Sequence, residues 1–393
     1  MKTIVYFENE NTGMESTVRQ ISRIRQIHPA DTLVVLSAGD YHSDGKPCAI
    51  SARERAKLQA EAGADLILSL PAASVLGGYG KKNFASTALI QRLHCVDRIV
   101  FPCSPLSGQA VDSCVEILKR TAMTIFRESP QYRRKLQTLL QEHMPFQEAK
   151  IKAAASCVPD AAALLAFPEN RHVVLLLDAM LQLYYMADTE FLDLREIMQH
   201  AGISTQTASV VSSSVPFSLS DKRGVSASSS LPDKRRDSFE QNAARALKNL
   251  LPVTSPGWLR DIAGCTDAMV RMLCKEPDRF LDAATFSEMA GILCSASLSA
   301  ETARLFLLRM ILQITHSTMQ INALHLYAPY CYMHAFNEAK QEQLDAVEKN
   351  SWVSFLREGD AGILHGEQYS KLLQADRKAE LLCAEPTSEA GSL

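Results

Sequence analysis

DTLVVLSAGDYHSDGKPCAISARERAKLQAEAGADLILSLP, residues 31–71, carries the reading of the fold. Its two ends, Asp31–Ser37 and Asp65–Pro71, are apolar runs of strand length, the pattern of strands buried on both faces. Between them Ser51 is placed to cap a helix, with Glu54 three residues on and Gly63 at the far end. That is a capping box followed by a C-terminal stop. Two apolar strands joined through a helix predict a parallel pair, since a parallel connection needs a long crossover.

Working outward, KTIVYF (Lys2–Phe7) reads as an earlier strand and RIVFP (Arg98–Pro102) as a later one. Met14–Arg25 and Asn83–Leu93 read as the intervening helices, the first with Val18, Ile21 and Ile24 in helical step. The expected fold class is therefore α/β, with a Rossmann-like parallel sheet covered on both faces. Beyond residue 108 the strand signal stops. Ala110–Ala122, Gln131–Glu142 and Pro168–Met186 read as helices, and Phe191–His200 is ambiguous. From Ser238 onward the pattern predicts an all-helical C-terminal region, clearest at Ser299–Thr315. The expected division is a Rossmann domain with trailing helices over 1–200, a linker over 203–237, a helical domain over 238–383 and a tail over 384–393.

Composition excludes several classes. The 393 residues carry 41 Lys+Arg against 44 Asp+Glu, a formal charge of −3, so no basic coat for nucleic acid covers the whole chain. There is no run of 18 apolar residues, so no membrane span is expected. MKTIVYFENENTG turns polar after Phe7, too early for a secretory core. Ten cysteines without a CxxC pair suit reduced thiols and a cytoplasmic location.

In an open parallel sheet, ligands bind beyond the carboxyl ends of the strands. The segments leaving those ends are Glu8–Gly13, Ser37–Pro47, Pro71–Asn83 and Pro102–Gly108, which line the expected cleft. Gly13 precedes a helix, whose first N–H groups suit a phosphate. Asp40, His42 and Asp44 alternate in one loop and read as a solvated turn held by Gly39 and Gly45 rather than as metal ligands. Lys81 and Lys82 follow a glycine-rich stretch, without the GxxxxGK[ST] spacing. His316, His325 and His334 lie nine apart and do not share a helix face. The 203–237 segment holds a near-duplication, SSSVPFSLSDKRGVS from Ser212 and SSSLPDKRRDS from Ser228. It reads as a flexible linker. The alternative is a phosphate-contacting loop using Lys222, Arg223, Lys234, Arg235 and Arg236.

The wording of the N-terminal half resembles the tRNA(Met) cytidine acetate ligase family of HIGH-type nucleotidyltransferases. Over Leu36–Pro71 the residues Gly39, Gly45, Pro47, Arg55, Ala56, Gly63, Ala64, Asp65, Leu66, Leu70 and Pro71 fall in register with the family pattern. So do Phe84, Ala85, Val96, Asp97, Val100 and Phe101 within Asn83–Ser104, and Pro168 and Asn170 further on. The resemblance implies an ATP-dependent enzyme with Mg, in which acetate is adenylated and the acetyl group passes to N4 of the wobble cytidine of tRNA. Family members place two histidines of an HxGH motif on the ATP phosphates, where preplaced donors stabilise developing charge.

Here that motif falls on Glu8–Met14, and the sequence departs from it. Asn11 and Met14 stand where the histidines belong, while Glu8 and Glu10 bring negative charge. Pro102, Glu169 and Ala52 replace a glycine, an asparagine and a lysine of the pattern, with Arg53 beside Ala52 as a possible compensation. A late SATAIR-like pattern corresponds to Ser226–Leu231, with Pro232 in place of its arginine. By this resemblance Asn11 and Arg55 are the catalytic candidates. Phe7, Glu8, Asn11, Gly13, Met14, Gly39, Asp40, Pro102 and Asn170 are the nucleotide-binding candidates. Lys81, Lys82, Arg92, Arg235 and Arg236 are the candidates for tRNA. The expectation is a ligase relative with altered or reduced catalysis, acting on acetate and tRNA away from membranes. The alternative is a noncatalytic pseudoenzyme that binds nucleotide, RNA or protein.

Overall fold

Thr3–Phe7 (β1), Thr32–Leu36 (β2), Leu66–Ser69 (β3) and Arg98–Cys103 (β4) are the four strands that the sequence predicts. In the computed structural model, which describes residues 2–77, 81–142, 144–200, 231–294, 298–357 and 367–384, they pair parallel in the order β4-β1-β2-β3. Alternate side chains leave opposite faces of the sheet. Val5, Phe7, Val34 and Leu36 join one apolar cluster, and Ile4, Tyr6, Leu33 and Val35 join the other. Burial on both faces explains why these strands read as continuous apolar runs.

Three more strands complete the sheet. Asp188–Asp193 (β5) pairs parallel with β4 at one edge and runs into the ambiguous stretch Phe191–His200, whose remainder, Leu194–His200, is helix. Tyr330–Phe336 (β6) pairs antiparallel with β3, and Ser354–Leu356 (β7) pairs with β6. The C-terminal region is thus helical with two strands inserted, not helical throughout. These strands belong to the same sheet as β1, so the second half closes the edge that β3 would otherwise expose. The helix Leu231–Leu250 takes in residues 231–237 of the expected linker. Lys222 and Arg223, most of the SATAIR-like stretch and the tail from 385 lie outside the described residues.

The predicted capping box is present. Ser51 accepts from the Glu54 amide, and the Glu54 carboxylate accepts from the Ser51 amide. Gly63 stands at φ +109°, and a Cβ there would lie 2.9 Å from Arg25 Cγ. Arg25 itself donates to the Gly63 carbonyl at 2.9 Å and pairs with Asp65, so it is poorly free to withdraw. Gly63→Ala should therefore destabilise the fold by about 1–3 kcal/mol. Urea unfolding tests this, and an unchanged midpoint contradicts it.

Candidate functional site

β1 lies between β2 and β4, so the order in which strands are added reverses there: β2 and β3 lie to one side and β4 and β5 to the other. The crevice beyond the β1 and β4 tips is where such a sheet takes ligands. The loop leaving β1 supplies two carboxylates to this crevice, and each is met by a cation of the same chain.

Glu8 is 4% exposed. Its Oε1 accepts from Arg55 Nη1 at 2.9 Å. Its Oε2 accepts from Ser37 Oγ at 2.9 Å, the Ala38 amide at 2.8 Å and Gln59 Nε2 at 3.0 Å. Burial works against the Arg55 charge, and Glu8 more than offsets it, so the guanidinium is held above its usual range. The sequence places Arg55 against a phosphate, whereas the structure places it against Glu8. Glu8 is buried with four donors around it.

Glu10 accepts from the Ser43 amide at 3.0 Å and from Ser43 Oγ at 2.6 Å, and it pairs with Lys82. Burial raises its pKa, but Lys82, His42 and Ser43 outweigh burial and bring it down to about 2. Lys82, a candidate for RNA, is thus committed within the cleft. His42 is pushed down mainly by burial. His172 falls to about 4, through burial first and then Lys82. Its Nε2 is buried with no hydrogen-bond partner among the described residues. Neutral imidazoles therefore stand beside a paired carboxylate and ammonium.

Asn11 and Gly13 are exposed on the same loop. Gly13 caps the helix Met14–Ile27 without a side-chain hydrogen bond, and Met14 is half-buried as its first residue. Phe7 is 3% exposed and stacks on Phe101, 6.3 Å between centroids. It is a core side chain under the cleft. Pro102 is buried in β4 beyond its pairing with β1, opposite Leu192 of β5. Asn170 is fully buried. It accepts from the Ser104 amide at 2.9 Å and donates to the Ser104 and Leu164 carbonyls. Its amide holds the loop after β4.

The other candidates are dispersed. Asp40 accepts from the Ala52 amide at 3.0 Å and pairs with Arg235, which also donates to the Cys48 carbonyl. Gly39 sits before it at φ +77°. Asp44 pairs with Lys46 and Arg304, so the Asp40–Asp44 loop is tied down at both ends and is not simply solvated. Lys81 lies over the Tyr327 ring at 4.6 Å. Arg92 donates to the carbonyls of His325, Ala328 and Trp352, which makes it a clamp between segments. Arg236 is exposed. Sequence reasoning missed Ser37, Gln59, Ser43 and His172 as neighbours of the two carboxylates. It also missed Arg195, which grips Asp193 and the Leu106 and Gln109 carbonyls beside the β4 tip.

Residues 18–187 match the HIGH Nucleotidyl Transferase family, a span that begins after the Glu8–Met14 loop. A tRNA(Met) cytidine acetate ligase of Clostridium perfringens ATCC 13124 is 25% identical over 136 residues, 35% of this chain and 32% of the relative. The protein of the same description from strain SM101 is 25% identical over 129 residues, 33% of this chain and 30% of the relative. The similarity thus spans about a third of the length of these relatives. Thermotoga maritima TmcAL bound with alpha-thio ATP superposes with a TM-score of 0.70 at 14% identity, over 100% of this chain and 96% of that one. Its apo form gives 0.68 at 14% identity, over 98% and 94%. At such identity the likeness establishes the fold.

Proposed function

We propose that this chain, which belongs with the HIGH nucleotidyltransferases and is a divergent relative of the tRNA(Met) cytidine acetate ligases, keeps their scaffold without their ATP chemistry and acts by binding. The supporting observation is the double internal pairing at the strand tips, Glu8 with Arg55 and Glu10 with Lys82. A polyphosphate needs cations there. Recruiting Arg55 leaves Glu8 as an uncompensated buried carboxylate, at a penalty of about 3–5 kcal/mol. Recruiting Lys82 does the same to Glu10. Asn11 carries no charge and Met14 has no donor, so neither replaces the lost attraction. The neutral state of His42 and His172 points the same way.

The test takes ATP with Mg, acetate and tRNA as the ligands to be tried. In a thermal-shift titration, a ligand at 100 times its Kd adds about 2.7 kcal/mol of stability. Millimolar ATP–Mg should give no shift, and acetate should evoke no ATP–pyrophosphate exchange. Exchange above background overturns the reading.

A second reading, a divergent enzyme that still binds nucleotide and modifies tRNA, is favoured by one feature. Gly13 leaves the N-terminus of the Met14–Ile27 helix without a side-chain cap, and nothing lies within 4 Å of where its Cβ would be. A phosphate seated there gains the helix N–H groups. Under this reading ATP raises the melting temperature, and Gly13→Pro, which removes an N–H at that end, abolishes the shift.

A further inference from the structure

The antiparallel pairing of β3 with β6 skips one residue. Ile67 pairs with Ala335 and Leu68 with Met333, so the strand bulges at His334. A bulged residue leaves the ladder, and bulges re-aim side chains. Here the ring is turned onto the tip of β3, with His334 Nε2 at 2.7 Å from Ser69 Oγ. In the tautomer protonated at Nδ1, Nε2 accepts from the serine hydroxyl. That separation is the one at which an imidazole activates a serine nucleophile.

The surroundings hold the pair. The Tyr332 ring stacks on the imidazole, 6.3 Å between centroids at 29°, and the Tyr332 hydroxyl donates to Asp376 at 2.9 Å. Ser69 is the last residue of β3, and Leu70 and Pro71 lead from it into the short helix Ala72–Val75. A serine on a strand-to-helix turn at the carboxyl edge of a sheet is placed as hydrolytic serines are. Gly39, at φ +77°, comes over from the loop after β2, and a Cβ there would lie 3.8 Å from Ser69 Cβ. Its missing side chain leaves room beside the serine. Ser69 is 3% exposed and His334 is half-buried, so the approach suits a slender acyl group and not a bulky one.

The pair is separate from the cleft already described. β3 lies two strands from β1 in the sheet, about 10 Å at about 4.8 Å per strand.

We propose that Ser69 and His334 form a nucleophile–base dyad that hydrolyses short-chain acyl esters. Ser69 Oγ bonds to the ester carbonyl carbon while its proton passes to His334 Nε2. The bond from that carbon to the alcohol oxygen breaks, and the alcohol leaves with the proton from His334. Water then gives a proton to His334 and its oxygen to the acyl carbon, which releases the carboxylic acid and returns the proton to Ser69. The inference goes beyond the reading of the cleft and stands whether or not the cleft takes ATP.

Two probes test it on the full chain: a fluorophosphonate, which bonds covalently to an activated serine, and p-nitrophenyl acetate. The unaltered chain should take up one fluorophosphonate per molecule, and mass spectrometry of the digested protein should place it on Ser69. It should also hydrolyse p-nitrophenyl acetate above the buffer rate, and p-nitrophenyl octanoate at least tenfold more slowly. Ser69→Ala should abolish both the labelling and the hydrolysis. His334→Gln retains a hydrogen-bonding side chain but no base, and should slow both at least a hundredfold. Melting temperatures show whether the variants fold, and the site of labelling in the unaltered chain decides the matter without them. No labelling of the unaltered chain, labelling of another residue, or ester hydrolysis that survives in a folded Ser69→Ala would each overturn the proposal.

Discussion

Arg55→Ala is expected to lower the unfolding free energy by about 3–5 kcal/mol, the penalty of leaving a buried carboxylate without its cation. Glu8 then retains Ser37, the Ala38 amide and Gln59, which are neutral donors. Glu8→Gln combined with Arg55→Met removes both charges and should recover most of the loss. Guanidinium unfolding reads all three chains. If Arg55→Ala unfolds within about 0.5 kcal/mol of the wild type, the Glu8–Arg55 pair is not a committed element, and Arg55 is available to a phosphate.

A comparable effect is expected at Asp376, in the helix Glu367–Cys383. Asp376 is 4% exposed. It accepts from the Tyr330 and Tyr332 hydroxyls and from the Ala72 amide. It thereby ties the C-terminal helix to β6 and to the short helix that follows β3. Asp376→Ala strands these three donors in a dry environment, for a loss of about 3 kcal/mol or more. Burial pushes the Asp376 carboxyl up to about 6, against the pull of its hydrogen bonds. Because the folded pKa exceeds the unfolded one, the wild type loses stability as pH rises from about 4 to about 6, by about 3 kcal/mol for two units. Asp376→Asn keeps an acceptor and cannot ionise, so its stability should be flat over that window relative to the wild type. Parallel pH profiles that superpose would show that Asp376 is not the titrating group.

Much of this architecture is legible in local signals. The Ser51–Glu54 box closes within three residues, the Gly63 stop lies just past the helix it ends, and the apolar runs of β1 to β4 are continuous in sequence, and the structure realises all of them. β6 was not legible. Its partner is β3, more than 260 residues earlier, and the bond between Ser69 and His334 spans 265 positions. No short-range pattern announces such a pairing, and YCYMHAF does not alternate cleanly. The cleft shows the same division. Its location follows from strand order, and the loss of both histidines is plain at Asn11 and Met14. What became of the charges is not. Glu8 meets Arg55 across 47 positions, and Glu10 meets Lys82 across 72. Read in line, the glutamates look like repulsion aimed at a ligand, and the cations look like attraction. Folded, each cancels the other.

The commitment of strand-tip cations to internal carboxylates is tested most directly by calorimetric titration of ATP–Mg into two proteins at low salt. One is the wild type. The other carries Glu10→Gln to release Lys82, together with Asn11→His and Met14→His. The wild type should give no measurable heat of binding, and the triple variant should bind saturably. Micromolar binding by the wild type, left unimproved by the three changes, would contradict it.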